Sequence, residues 1–194
     1  MKNTIAETVV HYVQEAMRQI DPQYSEEEQH YLASCAILER ETDSTKARGY
    51  IRAREQRFAC DVLYAAWQGF VLNLRIFQNP VNALLLGEDF EELYQERKMY
   101  VLPGAQQAQE RMDAFVYALP EERRELTYPL DDYYSYMQTV GYKLAHYMGF
   151  LFGNRFLPKV IPGYTADKVH TDRYTSTLRE FLQMDTEKVQ ILIE

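Results

Sequence analysis

Gly141, Ala145, Gly149 and Gly153 recur at every fourth position, and this ridge constrains the fold more than any other feature of the chain. Residues four apart share one face of an α-helix. A glycine in a helix interior costs about 0.5–1 kcal/mol against alanine, so an aligned row of them asks for a compensating contact. Close approach of a second helix supplies one. The natural partner lies 80 residues upstream, where Ala65 and Gly69 repeat the spacing. Ala65–Phe77 reads AAWQGFVLNLRIF and Ala145–Leu157 reads AHYMGFLFGNRFL. Ala, an aromatic, Gly-Phe, two apolar residues and Arg coincide, and a proline follows each segment, Pro80 and Pro158. Two such helices are expected to pack together at the centre of the molecule, about a pseudo-twofold axis.

The remaining segments also have helical period. Glycine occurs only 8 times and proline 7 times, and no Asn-Gly or Asp-Gly pair offers a tight hairpin turn. The expected fold is all-α: a single-domain bundle, residues 1–194, of about seven main helices, with the apolar helices near 45–78 and 131–154 central. A first helix runs to Ile20, before Asp21-Pro22. Ser25 and Glu28 have capping-box spacing and should open a second helix that sends Tyr31, Leu32, Cys35, Ile37 and Leu38 to the core. Ser44 should cap the third. Asn79-Pro80 opens a short helix to Gly87, and Glu88-Asp89 another to about Leu102. Further helices follow at 105–119 and after Pro120. Asp131 should cap the long helix, which should stop near Asn154 ahead of a connector containing Pro158, Pro162 and Gly163. A last helix spans about 167–184, with Tyr174, Leu178, Phe181 and Leu182 on one side, and the tail Val189–Ile193 fits helix or strand equally.

A formal charge of −8 and a pI near 5.1 argue against broad nucleic-acid binding, which draws on clustered Lys and Arg. Two cysteines, Cys35 and Cys60, are too few for a disulfide framework and read as free thiols in a reducing cytoplasm. The first residues lack a signal-peptide pattern, and the apolar stretches 62–77 and 140–152 are interrupted by Gln68, Asn73, Arg75, Lys143 and His146, so no membrane span is expected.

Four groupings of polar residues bear on chemistry. Glu27 and His30 form one Glu-x-x-His pair, but a di-iron bundle needs two, and no zinc pattern occurs, so no metal site is expected. Lys46, Arg48, Arg52, Arg54 and Arg57 oppose Glu55 alone, a net +4 in twelve residues. That run could hold an anion or an acidic partner, although neighbouring Glu39, Glu41 and Asp43 would more simply neutralise it. Arg57, Asp61, Gln68 and Arg75 form a polar stripe on the third helix, with Lys143 and His146 three apart on its counterpart. Such a stripe faces water or lines a polar cavity between helices. Finally, 16 tyrosines, six of them between Tyr128 and Tyr147, suit a core, a pocket or an interface.

No nucleophile elbow, phosphate loop or dinucleotide fingerprint occurs, and Asp131-Asp132 stands alone. The leading expectation is a non-enzymatic helical protein without a cofactor, acting through protein–protein contact as a homo-oligomer, helped by the apolar tail. The alternative is a binder of a small molecule or anion, or an enzyme of unfamiliar type. Its polar cavity would lie between the two central helices, with Arg57, Asp61, Gln68, Arg75, Lys143 and His146 as contacts.

Overall fold

The computed structural model describes residues 5–76, 104–160, 162–166 and 168–182. They form α1 (Ile5–Ile20), α2 (Tyr24–Glu41), α3 (Ser44–Ile76), α4 (residues 104–118), a 3-10 stretch (Glu121–Thr127), α5 (Tyr128–Val160) and α6 (Lys168–Leu182). No strand occurs among the described residues, so the all-α class holds. The helices expected at 79–87 and 88–102, and the tail 185–194, lie outside the described residues.

The spine is α3 against α5, each 33 residues long. Their glycines explain the closeness. A Cβ at Gly69 would collide with the His146 carbonyl oxygen, and one at Gly149 with the Ala66 carbonyl oxygen. Backbone touches backbone at both places, as the spacing of small residues anticipates. The rest of the ridge serves other partners. Gly141 faces Val13 of α1, where an added Cβ would sit 3.0 Å from Cγ1, and Gly153 makes room for the Asn73 side chain.

Helices α1 and α2 pack against both members of the spine, and α6 packs against α5 and α1. The core gathers Val13 and Met17 from α1, Tyr24, Tyr31 and Leu38 from α2, Val62 from α3 and Leu130, Met137, Leu144 and Met148 from α5. At the far end of the spine a buried polar network joins three elements. Asn73 donates to the Phe150 carbonyl and to Asn154 Oδ1 (2.8 Å), and accepts from the Tyr164 hydroxyl. Asn154 donates onward to Thr171 Oγ1 of α6 at 3.0 Å. An unsatisfied amide in an apolar core costs about 1–3 kcal/mol, so this closed network specifies how α6 docks.

Several expected helix ends are corrected. Ser25 does not cap α2: the helix begins at Tyr24, and Asp21 Oδ1 instead takes the Gln23 amide at 2.9 Å. Glu28 is thereby free to pair with Arg18 of α1 (2.7 Å). Asp43, not Ser44, caps α3, its Oδ1 accepting from the Thr45 and Lys46 amides at 3.0 and 3.1 Å. A carboxylate there also meets the positive end of the helix dipole. Asp131 lies inside the first turn of α5, which starts at Tyr128, and it pairs with Arg54. The helix also runs through Pro158 to Val160 rather than stopping near Asn154. Proline there removes one backbone hydrogen bond, and the burial of Leu157 beside it holds the turn in place. On α2, Tyr31 and Leu38 are buried as expected, but Leu32 is 59% exposed and Ile37 41%.

Candidate functional site

The tyrosines are concentrated where α2 meets α5. Tyr24 and Tyr31 are seven apart and point the same way from α2, while Tyr133 and Tyr134 are adjacent on α5. Tyr24 Oη lies 3.2 Å from Tyr133 Oη, and Tyr31 Oη 3.0 Å from Tyr134 Oη. The rings of Tyr31 and Tyr133 stack at 4.3 Å between centroids, and Tyr134 meets Tyr31 edge-on. Burial raises the phenols of Tyr31, Tyr133 and Tyr134 far above their ordinary value, so all three stay protonated.

Counting protons orients the hydroxyls. Tyr24 donates to Glu28 Oε1 (3.4 Å), so Tyr133 donates to Tyr24. Glu55 of α3 faces Tyr31, whose hydroxyl lowers the carboxyl, while burial raises it more strongly. The Tyr24–Tyr133 pair thus ends on the Glu28 carboxylate.

These groups wall a cavity of about 680 Å³ between α1, α2, α3 and α5. Tyr31, Tyr133 and Tyr134 form its buried wall, and Val10, Leu32, Ala59 and Leu63 contribute apolar surface. Glu28, Glu55, Arg52, His11, Gln14 and Gln56 supply the polar groups. Cys60 also lines it, a free and half-buried thiol whose pKa is raised chiefly by burial, as is that of Cys35. Neither thiol has the low pKa of a reactive cysteine. Sequence reading noted the abundance of tyrosine but missed this cavity, because its wall is assembled from four helices.

The polar stripe sits on another side of α3. Asp61, Gln68, Lys143 and His146 line one cleft of about 300 Å³ between α3 and α5, together with Tyr64, Tyr142 and Tyr147. Burial lowers the His146 imidazole below its ordinary value, against a hydrogen bond with the Ala65 backbone. Arg57 is drawn aside. It pairs with Asp61 at 3.2 Å and donates to Gln109 of α4 at 3.4 Å, in a small neighbouring hollow. The Arg75 side chain lies outside the described residues.

The basic run is dispersed by its own neighbours. Arg48 pairs with Glu39 at 3.1 Å, Arg54 with Asp131 at 2.8 Å, and Arg57 with Asp61. Arg52 forms no ion pair among the described residues. Among those residues no group of three or more His, Cys, Asp or Glu side chains could hold a metal ion, and no helix is long and apolar enough to cross a membrane. Glu27 and His30 belong to no such group, and His30 is exposed. Set against known proteins, the chain matches no family model, no curated protein and no solved structure.

Proposed function

We propose that this chain binds a small molecule in the cavity between α1, α2, α3 and α5. One observation carries the reading: an opening of about 680 Å³ whose buried wall is built from Tyr31, Tyr133 and Tyr134, with Glu28 and Glu55 among its polar groups. That volume falls in the range of small-molecule sites, roughly 300–1,000 Å³, and an apolar lining with a few convergent polar groups is their usual composition. The cleft of Asp61, Gln68, Lys143 and His146 is less than half as large and serves as the secondary candidate, at Ala65 and Tyr142 rather than at the tyrosine wall. The reciprocal contacts of Gly69 with His146 and of Gly149 with Ala66 support a local pseudo-twofold relation between α3 and α5.

Native mass spectrometry of untagged protein tests the binding reading. A reproducible added mass that disappears on Ala59→Trp, with the helical circular-dichroism signal retained, is the expected result. If no mass is retained and no compound in a fragment screen raises the melting temperature of the parent chain but not of Ala59→Trp, the reading fails.

Self-association is a second reading, favoured by the outward face of α2. Leu32, Ala33, Ala36 and Ile37 lie together there and are all exposed. An apolar helix face of this kind is a common seat for a second chain. Light scattering at micromolar concentration tests it: a dimer that Ile37→Glu converts to monomer supports the reading, and a monomeric parent chain removes it.

A further inference from the structure

We infer that the hollow between Arg54 and Arg57 of α3, Gln109 of α4 and Gln138 of α5 binds a small free oxyanion of the phosphate or sulfate type. The site is separate from the tyrosine-walled cavity and stands or falls independently of the binding reading above.

Arg54 and Arg57 are three apart and so share one face of α3. Of the basic run, these two reach the hollow, whose volume of about 100 Å³ suits a few waters or one small ion. The Arg54 side chain is only 17% exposed, and its guanidinium is held over the Tyr134 ring at 5.3 Å. Asp131 approaches its Nη2 at 2.8 Å from outside the lining, but Arg54 Nε is buried and has no hydrogen-bond partner among the described residues. Arg57 turns Nε to Asp61 (3.2 Å) and Nη1 to Gln109 (3.4 Å), and its Nη2 has no hydrogen bond among the described residues.

The lining is therefore rich in open donors and poor in open acceptors. Asp61 and Gln109 Oε1 already accept from Arg57, and Tyr134 Oη is paired with Tyr31 Oη at 3.0 Å. Water fits such a place poorly, because it brings two protons of its own. An oxyanion brings acceptors only, and guanidinium meets it with charge-assisted bonds. Each arginine keeps its carboxylate partner at one nitrogen, and the anion takes the N–H groups that those pairs leave open. Two guanidiniums face it in the lining against one carboxylate, Asp61.

Proton–nitrogen NMR of the arginine side chains tests the site on the full chain. Sodium sulfate is titrated against sodium chloride at matched ionic strength, with dimethyl sulfone as the neutral probe of similar shape. The Arg54 Nε–H signal, identified by its loss in Arg54→Lys, should shift saturably with millimolar sulfate, about tenfold more tightly than with the sulfone. Arg57→Gln should weaken sulfate about tenfold, and calorimetry on Arg54→Lys should show a similar loss, because lysine keeps the charge without the Nε donor. Arg48→Gln, outside the hollow, should leave sulfate binding unchanged. A shift that chloride reproduces is screening of the Arg54–Asp131 pair and overturns the assignment. Equal binding of the sulfone, or no saturable shift at tens of millimolar sulfate, overturns it as well. Should Arg57→Gln lose its helical signal, Arg57→Lys replaces it, and undiminished sulfate affinity in that variant counts against the site.

Discussion

Single residues decide how close the spine can come. Gly149 has a backbone carbonyl where a side chain would be, so the site cannot yield by rotamer change alone. Overpacking ordinarily costs about 1–3 kcal/mol, and contact with rigid backbone puts Gly149→Leu at or beyond the upper end. Chemical denaturation should show that loss, whereas Gly49→Ala, with nothing near its added Cβ, should leave the midpoint unchanged or raised. His146 carries a pH dependence. Its imidazole is depressed by burial, so the fold holds it neutral while the unfolded chain protonates near 6.5. The unfolded state then binds more protons, and stability is full above that pH and declines as pH falls through it. Urea midpoints taken between pH 7.5 and 5.5 should fall less for His146→Gln than for the parent chain. Parallel slopes would show that His146 titrates alike in both states.

Helices inherit their boundaries from capping chemistry and their orientation from apolar spacing, and the two are not equally legible. In the structure Tyr24, Tyr31 and Leu38 form one buried stripe of α2, seven residues apart, while Leu32 and Ile37 are exposed. Reading every apolar residue of α2 as inward was the error, since a stripe has a limited width and α2 rests chiefly on α3 and α5. The consequence is measurable. Leu38→Ala, at a site with no exposure, should cost about 2–5 kcal/mol, while Ile37→Ala should stay within about 0.5 kcal/mol in dilute monomer. Similar losses at both positions would mean that a partner covers the outer face. Caps were less legible: α2 and α5 start upstream of Ser25 and Asp131, at Tyr24 and Tyr128, and Ser44 sits beside Asp43, which caps α3 instead. Which one acts depends on where the preceding chain delivers its oxygen.

For the molecule as a whole, α1 and α2 gain their packing from both spine helices, and α6 from α5 and α1. Removal of the spine leaves none of them a core, so unfolding should be cooperative across the chain. Trp67 is the only tryptophan and stands on α3 between Ala66 and Gln68, next to the closest approach of the spine. Its fluorescence and the far-ultraviolet circular dichroism should therefore change at one denaturant concentration. Separate midpoints would show that the chain divides into independent units, against the single domain expected from its length and from the lack of a linker.

The sequence by itself determined the helical class, the long third and fifth helices and the glycine contact between them. It also brought Asp61 and Gln68 to the same cleft as Lys143 and His146. All of these follow from short-range periodicity: a turn of helix repeats every 3.6 residues, so spacings of three, four and seven translate directly into faces. Within the arginine run, the tertiary structure alone decided the partner of Arg54. Arg54 found Asp131 at a separation of 77 residues, and no local rule selects that carboxylate over Glu55, its immediate neighbour in the chain. Only the tertiary structure opened the tyrosine-walled cavity as well. A cavity is the space left when four helices cannot all touch, and that space is set by the angles at which they cross, which no one helix encodes.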